Sequence, residues 1–157
     1  MVTLDAGESN DLHPYDKKLV ADRVFNAAMD LVYGRQAQPQ PAVETIEVCG
    51  DLLRMHCVWR SRSDERIRSE GRRLMTLDGD VPQEIEFLWR DCATSARAEA
   101  WLDGCDIVAR MTARRPDEVR YAWSNNPESG LICDGDGMLI PPFRLTLPTD
   151  DDKGIHA

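Results

Sequence analysis

Residues 45–59, TIEVCGDLLRMHCVW, decide the fold class of this protein. Apolar side chains occupy every second position on both sides of a Gly-Asp pair: Ile46, Val48, Leu53, Met55, Cys57 and Trp59. Because successive side chains of a β-strand point to opposite faces, this period of two predicts two strands that each bury one face. Gly50-Asp51 has the chemistry of a tight turn, so the stretch predicts a β-hairpin.

The same alternation predicts further strands downstream. The alternating sets are Ile85, Phe87 and Trp89; Ala98, Ala100 and Leu102; Ile107, Ala109 and Met111; and Val119, Tyr121 and Trp123. Turn residues separate the last three sets, at Asp103-Gly104 and Pro116-Asp117. Short strands at this spacing, without helices between them, favour an antiparallel β-sandwich over a parallel sheet. Residues 60–73 are too highly charged to show a buried face, and we expect an exposed excursion there.

One α-helix is predicted ahead of these strands. Its apolar residues recur at helical spacing over residues 16–33: Val20, Val24, Ala27, Ala28 and Leu31. Gly34 supplies the stop signal, and the sequence QAQPQP at residues 36–41 indicates a linker. The predicted fold is therefore mainly β: an antiparallel β-sandwich preceded by a loop and one α-helix.

Composition excludes several classes of partner. The 157 residues include 19 Lys plus Arg and 28 Asp plus Glu, for a formal net charge of −9. A chain of this charge is repelled by nucleic acid and by anionic membranes, so we expect neither as a partner. No apolar run approaches the roughly 20 residues that cross a bilayer, and the first residues lack the layout of a signal peptide.

The cysteines and histidines do not indicate a metal centre. Five cysteines are present, Cys49, Cys57, Cys92, Cys105 and Cys133, without a CxxC pair or a His/Cys cluster at zinc-ligand spacing. We therefore expect no metal and no cofactor. An odd count leaves at least one thiol unpaired within the chain.

Two blocks of sequence resemble one enzyme family. Residues 119–127, VRYAWSNNP, and 137–144, GMLIPPFR, resemble the end of the sialate O-acetylesterase family, a group of SGNH-type carbohydrate esterases. Residues 4–7 and 10–14, LDAG and NDLHP, with the helix that follows, resemble the same family's catalytic histidine loop. In the first block Tyr121 and Trp123 share one strand face and Phe143 packs the end, so we expect scaffold rather than chemistry there.

The resemblance implies a division of the chain. Residues 1–35 correspond to the C-terminal remnant of a flavodoxin-like SGNH catalytic domain, 36–41 to a linker, 42–148 to a β-sandwich domain and 149–157 to a disordered tail. It also implies hydrolysis of acetyl esters on sugars, either sialic acid or a polysaccharide, by a serine-type mechanism in an extracellular or periplasmic location. The serine nucleophile lies upstream in that family, so this chain alone is expected to be inactive and to need the missing N-terminal catalytic segment.

The resemblance assigns His13 as the catalytic base. Imidazole suits this role because its pKa, about 6.5, lies near neutrality. Asp11 is our choice for the acid that orients it, with Asp5 in reserve; either carboxylate is equally consistent with an ordinary loop residue. Ser9 lacks the strand-to-helix elbow that exposes a nucleophile.

A second interpretation stays open, in which the chain is a non-catalytic β-sandwich that binds carbohydrate or serves in assembly, or an inactive fragment. Its four tryptophans, Trp59, Trp89, Trp101 and Trp123, have the chemistry to stack on sugars. Each lies in a predicted strand, so we favour core packing for them. The predicted helix must dock on the sandwich, pair with another chain or stay exposed.

Overall fold

The computed structural model describes residues 2–7, 16–34, 38–60, 66–67, 71–127 and 129–148. The elements in these ranges are α1 (Lys17–Tyr33), β1 (Gln40–Cys49), β2 (Leu52–Arg60), β3 (Arg66–Ile67), β4 (Leu74–Thr76), β5 (Ile85–Trp89), β6 (Thr94–Arg97), β7 (Glu99–Asp103), β8 (Asp106–Arg110), β9 (Glu118–Tyr121), β10 (Ile132–Asp134) and β11 (Phe143–Thr146). The predicted fold class, mainly β with one preceding helix, is confirmed. Within the described ranges, no helix has the length and apolarity needed to cross a membrane.

The strands form antiparallel sheets. The largest has the order β1-β2-β8-β7, with β3 added beside β2, and a second has the order β11-β9-β5-β6. A small sheet pairs β10 with β4. The predicted hairpin is β1 and β2, which pair from Cys49↔Leu52 to Gln40↔Arg60 around a turn at Gly50. This arrangement is the sandwich-like fold that the alternation predicted.

Both large sheets contribute to one hydrophobic core. Strand β2 alternates between half-buried and fully buried positions along its whole length. The largest fully buried apolar side chains are Trp59, Tyr121, Phe87, Leu53, Met55, Ile85, Ile107, Ile132 and Ile140. Since Trp59 and Met55 come from one sheet and Tyr121 and Phe87 from the other, the inner faces of the two sheets pack against each other.

Local capping sets both ends of α1. The Asp16 carboxylate accepts a hydrogen bond from the backbone N–H of Leu19 at 3.0 Å, which satisfies a free donor of the first turn. Gly34 follows the last residue with φ +63°, the left-handed conformation that ends many helices. The helix thus has the predicted boundaries.

Much of the apolar surface of α1 has no cover. Five large apolar side chains are exposed by 48% or more: Val24, Phe25, Leu31, Val32 and Tyr33. These side chains do not dock on the sandwich within the single chain, so pairing with another chain and exposure to solvent both stay open for them. Several large exposed apolar side chains on one helix are typical of an interaction site.

Several elements differ from the prediction. Strand β1 begins at Gln40 and therefore includes the last two residues of the predicted linker, 36–41. Strand β6 (Thr94–Arg97) was not predicted, because all four of its residues are exposed and it therefore shows no alternation. Strand β9 ends at Tyr121, so the prediction that Trp123 continues this strand is wrong. The predicted tail, 149–157, and much of 60–73 lie outside the described residues.

Candidate functional site

The predicted catalytic residues His13 and Asp11 lie outside the described residues, as does Ser9. The structure describes what lies on either side of their segment: residues 2–7 before it and α1 after it. We call residues 2–7 and α1 the two anchors, because their positions fix the two ends of the segment.

An ion pair joins the two anchors. The Arg23 guanidinium donates from Nη2 to Asp5 Oδ2 at 2.7 Å and from Nη1 to Oδ1, and Nη1 also donates to the Val2 carbonyl at 2.9 Å. The side chains of Arg23 and Asp5 are only 16% and 8% exposed. The hydrogen bond to Asp5 raises the pKa of Arg23. Because two-pronged pairs of this kind restrict both partners, residues 2–5 are held against the first half of α1.

The same N-terminal residues pack on the sandwich. Val2 and Leu4 lie against the hydrophobic core, and Ala6 is buried. Burial raises the pKa of the Cys133 thiol in β10, with further contributions from the charges of Asp134 and Asp5. Residues 2–6, which precede the segment that carries His13, are therefore held in place by both α1 and the core of the sandwich.

Tyr121, in the block at residues 119–127, is a structural residue. The Tyr121 ring is fully buried and stacks on Phe143 with ring centroids 5.5 Å apart. Its hydroxyl accepts a hydrogen bond from the Ile132 N–H at 2.7 Å, which links β9 to β10. Burial raises the pKa of Tyr121, so the phenol stays neutral and takes no part in proton transfer near pH 7.

A buried carboxylate holds the turn after β10. Asp134 Oδ2 accepts a hydrogen bond from the Trp59 indole N–H at 2.8 Å, and Oδ1 accepts from the N–H groups of Asp136 and Met138. Arg72 lies 3.6 Å from Asp134 and over the Trp59 ring. Within the described part of the chain, no buried side-chain polar atom lacks a partner. Asp134 is thus a satisfied structural residue.

His56 does not offer an alternative catalytic base. Its Nδ1 lies 3.2 Å from Asp106, an arrangement that superficially resembles a His–Asp dyad. However, its Nε2 lies 3.6 Å from the Glu47 carboxylate, where a nucleophilic hydroxyl or thiol would have to be. Two acidic neighbours make His56 a surface ion-pair residue.

Neither a metal-binding cluster nor a catalytic group is found in the part of the chain that the structure describes outside the segment of His13. No group of three or more His, Cys, Asp or Glu side chains in those residues is arranged to hold a metal ion. An open depression lies beside the β1–β2 turn, lined by Val48, Gly50, Asp51, Met111, Thr112, Ala113 and Arg115. Its carboxylate, Asp51, accepts a hydrogen bond from Arg110 at 2.8 Å and is therefore engaged.

The tryptophans fall into different environments. Trp59 and Trp89 are buried, and their indole N–H groups donate to Asp134 and to the Arg115 carbonyl, which confirms core packing for these two. Trp101 is half-buried beneath the Arg110 guanidinium. Trp123 is 49% exposed, so core packing is wrong for this residue.

Comparison with known proteins finds a structural relative over most of this chain. No protein-family model matches the chain, and no curated protein matches it. Among solved structures, a carbohydrate acetylesterase from Xanthomonas citri matches with a TM-score of 0.70 and 26% sequence identity. The match covers 90% of this chain and 31% of that enzyme, so the chain spans about a third of the enzyme's length.

Proposed function

We propose that this chain is the C-terminal portion of a carbohydrate O-acetylesterase that hydrolyses acetyl esters on sugars. The observation that carries the proposal is the similarity, over 90% of the chain, to a carbohydrate acetylesterase. The sialate O-acetylesterase-like motifs in residues 4–14 and 119–144 support the same assignment. The substrate is an O-acetylated sugar, in sialic acid or in a polysaccharide.

The proposed mechanism uses His13 as the proton carrier. His13 takes the proton of a serine hydroxyl supplied by a segment outside this chain, and the serine oxygen attacks the acetyl carbonyl carbon. Collapse of the tetrahedral intermediate breaks the ester C–O bond, and the sugar oxygen leaves with the proton from His13. Water then attacks the acetyl-serine with His13 again as base, which releases acetate and restores the serine.

Asp11 is the better candidate for the acid that orients His13. Both oxygens of the reserve candidate, Asp5, accept hydrogen bonds from Arg23. A carboxylate committed in this way serves to hold the N-terminal segment on α1. Asp5 is therefore proposed as a positioning residue.

The exposed face of α1 indicates where the rest of the enzyme binds. The Xanthomonas acetylesterase is about three times as long as the matched region, so most of that enzyme corresponds to nothing in this chain. We propose that the missing N-terminal catalytic segment covers the apolar face formed by Val24, Phe25, Leu31, Val32 and Tyr33. This contact would bring the serine nucleophile of the missing segment close to the segment that carries His13.

The proposal is tested by restoring the upstream coding region and measuring acetate release from O-acetylated sugars. We expect turnover in the restored protein, and a loss of about 10³-fold or more in a His13→Ala variant. His56→Gln is the matched control, because His56 lies in β2 and pairs with Asp106. Retained turnover in His13→Ala would exclude His13 as the base, and an inactive restored protein would exclude the esterase.

We also propose an extracellular or periplasmic location, as for the sialate O-acetylesterase family that the motifs resemble. All five cysteines are free in the structure, although secreted proteins commonly form disulfides. Fractionation of the source cells tests this location directly. Recovery of the protein only from the cytoplasmic fraction would contradict it.

A further inference from the structure

We propose that the exposed indole of Trp123 is a stacking platform for a ring of a neutral polysaccharide. This inference takes its ligand class, carbohydrate, from the proposed function, but it concerns a binding site separate from the His13 chemistry. It rests on three observations: how the backbone exposes the indole, how the residues beside it in the chain are held, and which polar groups lie around the residue that holds them.

The backbone turns Trp123 out of the core at a strained residue. Val119 and Tyr121 are fully buried on the inner face of β9, and continued alternation would place Trp123 beside them. Instead Ala122 has φ +50°, in the left-handed region that residues with a Cβ rarely adopt. A strained residue immediately before an exposed tryptophan is typical of a functional position rather than of a packing one.

Residues on both sides of Trp123 are anchored to Glu84. The Ala122 N–H donates to the Glu84 carbonyl at 3.0 Å, and the Ser124 hydroxyl donates to Glu84 Oε2 at 3.0 Å. The Glu84 side chain is only 11% exposed. The backbone that carries the indole is therefore fixed before any ligand arrives, which lowers the entropic cost of binding.

Polar side chains lie around Glu84, the residue that anchors the backbone next to Trp123. Arg97 Nη1 donates to Gln83 Oε1 at 3.3 Å, and Arg97 Nη2 lies 3.8 Å from Glu84 Oε1. A pyranose ring has an apolar C–H face and a rim of hydroxyl groups. The exposed indole suits the apolar face, and the Ser124 hydroxyl, next in the chain, is a polar group held in place by Glu84.

The charges favour a neutral sugar over an acidic one. Arg97, the cation that lies 3.8 Å from Glu84 Oε1, is already paired with that carboxylate. No described residue accepts a hydrogen bond from the Trp123 indole, whereas the buried indoles of Trp59 and Trp89 both have acceptors. The chain as a whole carries a net charge of −9, which repels carboxylated sugars such as sialic acid.

The test measures binding of the 157-residue chain by titration calorimetry, with acetylated xylan, deacetylated xylan and a sialylated oligosaccharide as probes. We expect saturable binding of xylan and at least about tenfold weaker binding by Trp123→Ala, with Trp123→Phe intermediate. Trp101→Ala is the matched control and should bind as the unchanged protein does, because Trp101 lies in β7 on the other large sheet. Circular dichroism establishes that each variant is folded.

The outcomes separate this inference from the proposed function. Equal binding by Trp123→Ala, absence of xylan binding, or preference for the sialylated probe would each overturn the platform. In the protein with its upstream region restored, Trp123→Ala should hydrolyse the small ester p-nitrophenyl acetate at an unchanged rate, and slower hydrolysis would also count against it. Xylan binding that depends on Trp123, in a protein that releases no acetate, would support the platform and exclude the esterase.

Discussion

At the scale of single residues, one buried carboxylate links neighbouring strands. Glu118 in β9 is buried and accepts hydrogen bonds from two arginines. Arg90 directly follows β5, and Arg144 lies in β11. The hydrogen bond from Arg144, followed by that from Arg90, lowers the pKa of Glu118 below its ordinary value of 4.5. One carboxylate thus links three neighbouring strands of the second large sheet.

Glu118→Gln should destabilise the protein by about 1–2 kcal/mol at pH 7, because two charge-assisted hydrogen bonds are weakened. Since the pKa of Glu118 is lowered by folding, its contribution is present above pH 4.5 and is lost as the pH falls through the folded pKa. The free energies of unfolding of the two proteins should therefore converge in acid. Urea denaturation at pH 7 and pH 3 measures both quantities.

Glu99→Gln is the control for this experiment, because Glu99 is largely exposed and lies 3.3 Å from Arg110. Exposed ion pairs contribute about 0–1 kcal/mol, so this variant should change little at either pH. An equal effect of the two substitutions would show that Glu118 acts only through the overall charge.

At the scale of elements, α1 is attached to the protein by one polar face. Arg23, near its middle, pairs with Asp5, while Lys18 and Asp22 form an ion pair on the exposed side of the same helix. The two pairs differ in burial and therefore in their expected energies. Only the Arg23 pair joins the helix to another segment.

Arg23→Ala should destabilise the N-terminal region by about 2–4 kcal/mol, because it leaves the nearly buried Asp5 carboxylate without its partner. Hydrogen exchange of the α1 amides should increase, since the helix loses its attachment. Lys18→Ala removes only an exposed ion pair and should leave the protection of α1 unchanged. Equal protection of α1 in Arg23→Ala and in the unchanged protein would contradict the anchoring role of this pair.

At the scale of the whole molecule, the exposed apolar side chains of α1 predict that copies of the chain associate with one another. Phe25 and Val32 are 60% and 72% exposed, more than an isolated helix face in a monomer usually shows. We expect the 157-residue chain to associate as its concentration rises, unless the catalytic segment is present.

The double substitution Phe25→Lys with Val32→Lys should abolish this association, because it places two charges in the apolar face. Light scattering coupled to size-exclusion chromatography measures the mass as a function of concentration. Val81→Lys is the control, since Val81 is an exposed apolar residue in the loop after β4. A chain that stays monomeric at all concentrations would contradict the expectation.

The sequence by itself determined the elements whose signals are local. The alternation in residues 45–59 predicted the hairpin because the two faces of a strand are set by the backbone alone. Gly34 predicted the end of α1 because a C-terminal stop signal acts within one turn. Strands β4 and β10, with three residues each, are too short for a period to appear.

Only the tertiary structure decided which residues meet and which face solvent. The Asp5–Arg23 pair spans 18 positions, and nothing in the local sequence of either residue indicates the other. Trp123 continues the apolar pattern of β9, yet its exposure depends on the backbone of Ala122, which donates a hydrogen bond to Glu84, the residue before β5. The period of a sequence shows only which side chains alternate between the two faces of a strand. Contacts between distant segments, and the positive φ of Ala122, are set when the sheets assemble.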